Sequence, residues 1–219
     1  SGGPMGDENR EALAAFLLRL RSKGITDHRL LSAFEEVPRR NFVPVIHITE
    51  AYAKGQMPIE CGQSMTAVSR VAQVLSALEV QEEHRVLELG TGTGYQAALL
   101  GKLANKVLSV ERFRTLQDKA SNRLKQLGME NVIVKLMDGS EAQIDMGLSD
   151  RIVANFAFPE IPRKFIDNLA SNGVMLAAVG DEGEQQVMKK FTKIGSRFQV
   201  EDLFPVRMQM MIPGIAKAI

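Results

Sequence analysis

The sequence predicts an α/β fold with N-terminal helices and a doubly wound, mostly parallel sheet. Three observations lead to this prediction. The first of several apolar runs ends in a glycine-rich turn. After Gly180 the sequence changes to charged and apolar residues broken by Gly195 and Pro205, which predicts antiparallel strands at one edge. Helical segments separate the apolar runs, as the crossovers of a parallel sheet require; these runs lie near Val86, Val107, Val132, Ile152 and Val174.

The region before the sheet is predicted to be mainly helical. The segment Glu11–Arg21 places apolar side chains at helical spacing. A second helix is expected from Asp27, a suitable N-cap, to Glu36. An irregular loop, Lys54–Gly62, then leads to a third helix, Ala67–Leu78. These helices are expected to pack against the sheet that follows.

The chain is expected to form one domain, 7–219, since 219 residues are enough for a single well-buried core. Within it we distinguish the N-terminal helical region, 7–80, a central core, 81–180, and the C-terminal edge strands, 181–219. The first residues, 1–6, resemble a remnant of tag cleavage and are left out of the predicted fold.

Composition argues against several classes of partner. The 27 basic and 26 acidic side chains nearly cancel, so the broad basic face of a nucleic-acid-binding protein is not expected. The apolar runs are too short to span a membrane. The single cysteine, Cys61, cannot form an internal disulfide, which favours the reducing cytoplasm. Nothing in the sequence suggests a metal site, and we expect a cytoplasmic monomer that binds neither nucleic acid nor membrane.

The stretch Arg85–Arg112 indicates the cofactor. It reads RVLELGTGTGYQAALLGKLANKVLSVER, a strand, a glycine-rich turn, a helix and a second strand. A dinucleotide fingerprint, G-x-G-x-x-G, would need a glycine where Tyr95 stands. Instead the pattern from Glu88 is E-x-G-x-G-x-G, which is typical of S-adenosylmethionine (SAM) methyltransferases with a Rossmann-like sheet; its glycines are Gly90, Gly92 and Gly94.

Acidic side chains at the strand ends suggest how this cofactor would be held. Glu88 could meet the cationic end of its amino-acid tail, and Glu111 could accept both ribose hydroxyls. After the third strand, Asp138–Gly139 would place a carboxylate at the adenine amino group, and Arg112 is expected to bind the cofactor as well. Two simpler interpretations stay open: Glu111 as a solvated strand end, and Asp138–Gly139 as an ordinary turn.

Segments outside this core resemble one family, the protein-L-isoaspartate O-methyltransferases. They are Val37–Pro44 (VPRRNFVP), Ala51–Ala53 with Pro58–Thr66 (PIECGQSMT), and Pro159–Pro162 (PEIP). The resemblance spans nearly the whole chain. It implies SAM as cofactor, with S-adenosyl-L-homocysteine as its product. It also implies damaged proteins or peptides as substrates, repaired through methylation of the isoaspartyl carboxylate.

The resemblance also implies roles for residues of the PI-x-x-GQ loop. Gln63 and Ser64 would bind the cofactor, and Thr66 takes the place of the family's serine beside the reacting carboxylate. Val68 stands where the family has proline. Further departures occur after the fourth strand and near the C-terminus, at Asn155, Phe156 and Met208–Met210. Thr66 could instead cap the following helix, or do both.

The predicted reaction needs no general base, because a carboxylate is already ionised near neutral pH. We therefore expect that His28, His47 and His84 are not catalytic. The departures on the substrate side leave two alternatives open. The chain could be a divergent methyltransferase that acts on another acceptor, or a SAM-binding module without catalysis.

Overall fold

A computed structural model describes residues 7–53, 55–141 and 147–216 of the chain. The expected tag remnant, 1–6, lies outside the described residues. So do Lys54 of the expected loop and the last three positions of the expected edge region, 217–219.

A seven-stranded sheet forms the centre of the fold. Its order is β5-β4-β3-β6-β7-β8-β9, parallel from β5 to β7 and antiparallel from β7 to β9. The predicted α/β class and the antiparallel edge are therefore confirmed. Its strands are β3 (Arg85–Leu89), β4 (Lys106–Glu111), β5 (Val132–Leu136), β6 (Ser149–Phe158), β7 (Leu169–Val179), β8 (Gln186–Ile194) and β9 (Arg197–Val206).

The three N-terminal helices predicted from the sequence are present within the described residues. A shorter helix precedes β7. None of the helices in this part of the chain is long and apolar enough to cross a membrane. The helices are α1 (Asp7–Ser22), α2 (His28–Glu36), α3 (Val68–Leu78), α4 (Tyr95–Leu103), α5 (Arg114–Gln126) and α6 (Arg163–Asp167).

The two faces of the sheet are covered by different elements. Alternate strand residues such as Val86 and Val153 pack with the side chains of α1 to α5. The intervening residues, such as Leu87 and Ile152, pack with Phe165 of α6 in a second cluster. This alternation follows from the two-residue period of a strand. It explains why the central strands are apolar without interruption, since both faces are buried.

The order of the strands creates a crevice at one point of the sheet. From β3 the chain moves outwards to β4 and β5, and then returns to the other side of β3 to form β6. In a doubly wound sheet the loops leave such a point in opposite directions, and the crevice opens at the carboxyl ends of the strands. Here that point lies between the ends of β3 and β6.

The predicted irregular loop before α3 is instead a tight hairpin. Its strands, β1 (Met57–Pro58) and β2 (Ser64–Met65), pair in antiparallel fashion. The turn between them contains Cys61 and Gly62, both in left-handed conformation with φ of 62° and 65°. Such a conformation is unusual for cysteine and easy for glycine. The local sequence lacks an Asn-Gly or Asp-Gly hairpin signal, which is why this ladder was not expected.

We predict that Leu87→Ala lowers the free energy of unfolding by about 2–5 kcal/mol, because it leaves a cavity in a closed core. Leu87 lies in the central strand β3 and is fully buried. Ile133→Ala on β5 is the matched control, because Ile133 is 56% exposed; its cost should stay below about 1 kcal/mol. Urea denaturation of both variants provides the measurement, and equal losses would contradict the assignment of β3 to the core.

Candidate active site

A cavity of about 660 Å³ opens at the crevice between β3 and β6. The glycine-rich turn, 90–93, forms its floor, and the second strand of the hairpin with the residues between it and α3, 63–67, forms one wall. Residues 206–209, at the end of β9 and just beyond it, form another wall. Segments that are far apart in the sequence thus converge on the point where the strand order reverses.

The glycine-rich turn leaves room for a ligand above Gly92. This residue has φ of 57°, and a Cβ added to it would meet only the Cδ1 atom of Ile59, at 4.0 Å. A side chain at Gly92 would therefore project into the cavity and occupy space that a ligand could use. At Gly90 the space is already filled, since a Cβ there would lie 2.5 Å from the Cζ atom of Phe156.

Glu111 connects the turns that follow β3 and β4. Its Oε1 accepts a hydrogen bond from the backbone N–H of Gly92 at 3.0 Å, and its Oε2 accepts one from Phe113 at 3.1 Å. The side chain lines the cavity and is only 5% exposed. Burial raises the pKa of Glu111, and these backbone donors oppose the shift. Each carboxylate oxygen can accept a further hydrogen bond, so a pair of ligand hydroxyls could bind here.

Glu88 lies below the cavity in a buried polar network. Its Oε1 accepts from the Ser109 hydroxyl at 2.5 Å, and its Oε2 accepts from Gln96 at 2.9 Å and from Asn155 at 3.4 Å. Burial raises the pKa of Glu88 to about 7, against the effect of these donors. Asn155 also donates to the carbonyl of Gly90 at 2.8 Å. Gln96 and Asn155 line the cavity, so they would meet a ligand before Glu88 does.

Thr66 lines the cavity at the end of the hairpin. Its backbone carbonyl accepts a hydrogen bond from Nη2 of Arg39 at 2.9 Å. The next helix, α3, has Ala67 as its N-cap and no side-chain cap hydrogen bond. The Thr66 hydroxyl therefore does not cap α3, contrary to the alternative interpretation of the sequence. Gln63 and Ser64 line the same wall.

The segment after β9, residues 207–216, is held to the sheet by its backbone. Gln186 of β8 donates to the carbonyl of Met208 at 3.0 Å and accepts from its N–H at 2.7 Å. Ala157 at the end of β6 donates to the carbonyl of Gln209 and accepts from the N–H of Met211. Of the departures in this segment, Met208 and Gln209 line the cavity and Met210 does not.

The same segment covers three of the predicted cofactor residues, which do not line the cavity. Arg112 Nε donates to the carbonyl of Gly214 at 3.2 Å. A Cβ at Gly139 would lie 3.3 Å from the terminal methyl carbon of Met211. Asp138 uses one carboxylate oxygen to accept from the N–H of Ser140. Their predicted contacts with a cofactor stay predictions.

Gly94 is also placed away from the cavity. A Cβ at this position would lie 3.1 Å from the Cβ of Ala120 in α5 and 3.7 Å from a ring carbon of Phe42. The structure thus brings the glycine turn against a helix at Gly94, and its predicted role in cofactor binding stays a prediction.

Some residues of the cavity wall were not predicted from the sequence. Gln96 is a polar residue in the otherwise apolar start of α4, and that contrast was the available signal. Asn155 and Phe156 were noted only as departures from a family pattern. Arg39 lies in the Val37–Pro44 segment that carries the family resemblance, but no role was assigned to it. Gln186 carried no signal, since its neighbours in the cavity come from distant parts of the chain.

The chemistry of the turn selects the class of ligand. Phosphate groups would be repelled by the carboxylate of Glu111, whereas ribose hydroxyls could donate to it. No cluster of three or more histidine, cysteine or acidic side chains suited to a metal ion occurs in the described ranges. The fold and this site therefore define a SAM-dependent methyltransferase with a Rossmann-like sheet.

Comparison with known proteins identifies the family within this class. The model of the protein-L-isoaspartate(D-aspartate) O-methyltransferase family matches residues 11–212. A protein-L-isoaspartate O-methyltransferase of a Bradyrhizobium species is 43% identical over 204 residues, 93% of this chain and 95% of the relative. One of Rhizobium meliloti is 38% identical over 199 residues, 91% of this chain and 98% of the relative. The chain belongs to the protein-L-isoaspartate O-methyltransferase family, as its sequence motifs predicted.

A solved structure shows the same fold. A Plasmodium falciparum protein assigned as a protein-L-isoaspartate O-methyltransferase, in complex with S-adenosyl-L-homocysteine, superposes with a TM-score of 0.78. The two chains are 22% identical, and the match covers 90% of this chain and 97% of the other. At this identity the likeness concerns the architecture.

We predict that Glu88 makes the stability of the protein depend on pH. Because its pKa is raised in the folded state, the folded protein binds this proton more tightly than the unfolded chain. Stability should therefore fall as the pH rises from the ordinary glutamate pKa to about 7, by about 3 kcal/mol, and then level off. Glu88→Gln should remove this fall, since the amide does not titrate.

Urea denaturation of the parent and of Glu88→Gln between about pH 5 and pH 8 measures the effect. Taking the difference between them cancels the contribution of Glu111, which both proteins retain. A difference that stays constant across this range would show that Glu88 does not titrate with a raised pKa.

Proposed function

We propose that the cavity between β3 and β6 holds both the cofactor and the reacting carboxylate. The chain is a SAM-dependent carboxyl O-methyltransferase that methylates isoaspartyl residues of damaged proteins, a step in protein repair. The resulting ester closes to a succinimide without further catalysis, and hydrolysis returns part of it to normal aspartate. We propose in addition which residues bind the cofactor and which align the carboxylate.

One observation carries the assignment: Thr66, Glu111 and the turn at Gly90–Gly92 face a single cavity. Glu111 is suited to accept the ribose hydroxyls, and Gly92 leaves space above the backbone. Gln63 and Ser64 on the opposite wall are suited to contact the same ligand. The cofactor supplies a methyl group bound to a cationic sulfur, which a carboxylate oxygen attacks as the carbon–sulfur bond breaks.

The protein's contribution would be alignment and the exclusion of water. The Thr66 hydroxyl is suited to donate to one oxygen of the substrate carboxylate and leave the other free to react. It need not accept a proton, since the carboxylate is ionised at neutral pH. Fixing a nucleophile in line with its target can lower a barrier by about 7–11 kcal/mol, and a closed cavity removes competing water.

Glu88 would act indirectly, through the amides of Gln96 and Asn155 that separate it from the cavity. For Asp138 and Gly139 to meet the adenine, the segment 207–216 would have to move away from them, because Met211 covers Gly139.

The composition of the chain bears on its compartment and its partners. We infer that the enzyme acts as a cytoplasmic monomer on damaged proteins and has no nucleic-acid or membrane partner. The nearly balanced charge of 27 basic and 26 acidic residues supports the absence of a nucleic-acid partner. The single cysteine suits a reducing compartment.

We predict that Glu111→Ala weakens the binding of S-adenosyl-L-homocysteine by about 1–3 kcal/mol, the cost of losing charged hydrogen bonds. The carboxylate would no longer accept from the ribose, and the Gly92 N–H would lose its partner. Titration calorimetry gives the affinity. Glu79→Ala is a suitable control, because Glu79 lies at the end of α3 and outside the cavity. Unchanged affinity in Glu111→Ala would remove Glu111 from the site.

We predict that Thr66→Val lowers turnover of an isoaspartyl peptide by about tenfold or more, while Thr66→Ser retains activity or raises it. Valine is nearly isosteric with threonine, so only the hydroxyl is lost. The affinity for S-adenosyl-L-homocysteine should hardly change. Methyl transfer is measured on the isoaspartyl peptide and on its normal aspartyl twin, which should not react.

Turnover of Thr66→Val at the parent rate would show that the hydroxyl does not align the substrate. Methylation of both peptides alike by the parent protein would overturn the isoaspartyl assignment itself.

A further inference from the structure

Arg39 is a fully buried arginine whose charge has no carboxylate partner. The residue is 0% exposed. Its Nε donates to the carbonyl of Ala51, and its Nη2 donates to the carbonyl of Thr66 at 2.9 Å. Nη1 is buried and has no hydrogen-bond partner among the described residues. Within those residues the ion pairs do not include Arg39.

The surroundings of Arg39 compensate its charge only in part. The guanidinium carbon lies 4.7 Å from the centroid of the Tyr95 ring, a cation–π contact. Burial lowers the pKa of the guanidinium, and the nearby hydroxyls of Tyr95 and Tyr52 oppose the shift; an arginine stays protonated in proteins. The Tyr95 hydroxyl, like Nη1, makes no hydrogen bond of normal geometry among the described residues. Moving an ion out of water without a counter-ion destabilises the folded state. If Arg39 served only to bind the backbone carbonyls, a side chain without a further buried donor would be sufficient.

The position of Arg39 suggests what the unused donor is for. Arg39 lines the cavity, and the group that it holds, the carbonyl of Thr66, belongs to the residue proposed to align the substrate. The other cations of the cavity wall are less enclosed. Arg70 stacks on Phe204 at 4.6 Å and donates to a glutamine, and Arg207 is exposed.

We propose that Arg39 binds the free carboxylate of the isoaspartyl residue, with Nη1 donating to it beside Thr66. The inference rests on the proposed function, because it requires that the carboxylate enter this cavity. Arg39 then completes its hydrogen bonding and acquires a counter-ion when the substrate binds. The charged form of the substrate gains most from this contact, since a charge pair is stronger in a buried site than in water.

The test compares two peptides that differ in one group. One contains an isoaspartyl residue with its free carboxylate, and in the other that carboxylate is a carboxamide of nearly the same shape. Calorimetry with S-adenosyl-L-homocysteine present gives both affinities. The parent protein should bind the carboxylate peptide at least about tenfold more tightly. In Arg39→Gln this preference should fall to about twofold or less, while the affinity for S-adenosyl-L-homocysteine changes by less than about twofold.

Arg29→Gln is the matched control. Arg29 also donates to two backbone carbonyls, those of Val80 and Leu103, but it lies outside the cavity. Its loss should leave the preference for the carboxylate intact. If Arg39 had only a structural role, Arg39→Gln would keep the preference for the carboxylate peptide, as this control does.

Arg39→Gln with the preference of the parent would overturn the inference and leave the proposed function standing. If that variant fails to fold, Arg39→Met takes its place, because methionine keeps an unbranched side chain without the charge, and a preference unchanged from the parent would overturn the inference. Equal binding of both peptides by the parent protein would do so without any variant. A parent protein that binds S-adenosyl-L-homocysteine but neither peptide would overturn the proposed function together with this inference.

Discussion

The parallel pairing of β3 with both β4 and β6 positions the other parts of the site. Because the chain goes outwards on one side of β3 and returns on the other, a crevice opens at the carboxyl ends of β3 and β6. The glycine-rich turn leaves β3 there, and Asn155 and Phe156 lie near the end of the neighbouring strand. Glu111 at the end of β4 holds the turn in place through the N–H of Gly92.

Buried polar groups surround this crevice. Glu88 is held by three side-chain donors, and burial raises its pKa against their effect. Arg39 has a buried donor that finds no hydrogen-bond partner among the described residues. Each of these groups makes the folded state less stable than an apolar side chain of similar size could make it. Arg39 lines the cavity, and Glu88 lies directly behind Gln96 and Asn155, which line it; such a position is where a functional demand would retain them.

The cavity walls formed by the hairpin and by residues 207–209 are held in place through hydrogen bonds to their backbone groups. The hairpin β1–β2 turns at Cys61 and Gly62, and the Arg39 guanidinium holds its far end at Thr66. On the other side, Gln186 fixes the backbone of Met208 by two hydrogen bonds. The residues at 207–210 that differ from the family pattern therefore alter the side chains on this wall, whereas its backbone is held by the same kind of hydrogen bonds. This is compatible with membership of the family despite those departures.

The sequence by itself determined the strands, the main helices and the class of cofactor. Short uninterrupted apolar runs separated by helical segments are typical of strands buried on both faces, and glycine at positions 90 and 92 allows a backbone that passes close to a ligand. Tertiary structure decided which polar groups reach the cavity. Glu88 lies below Gln96 and Asn155, and Asp138 does not line the cavity. These outcomes depend on contacts between residues some 60 to 100 positions apart. Local sequence patterns carry no information about such contacts, because they arise only when the sheet brings distant segments together.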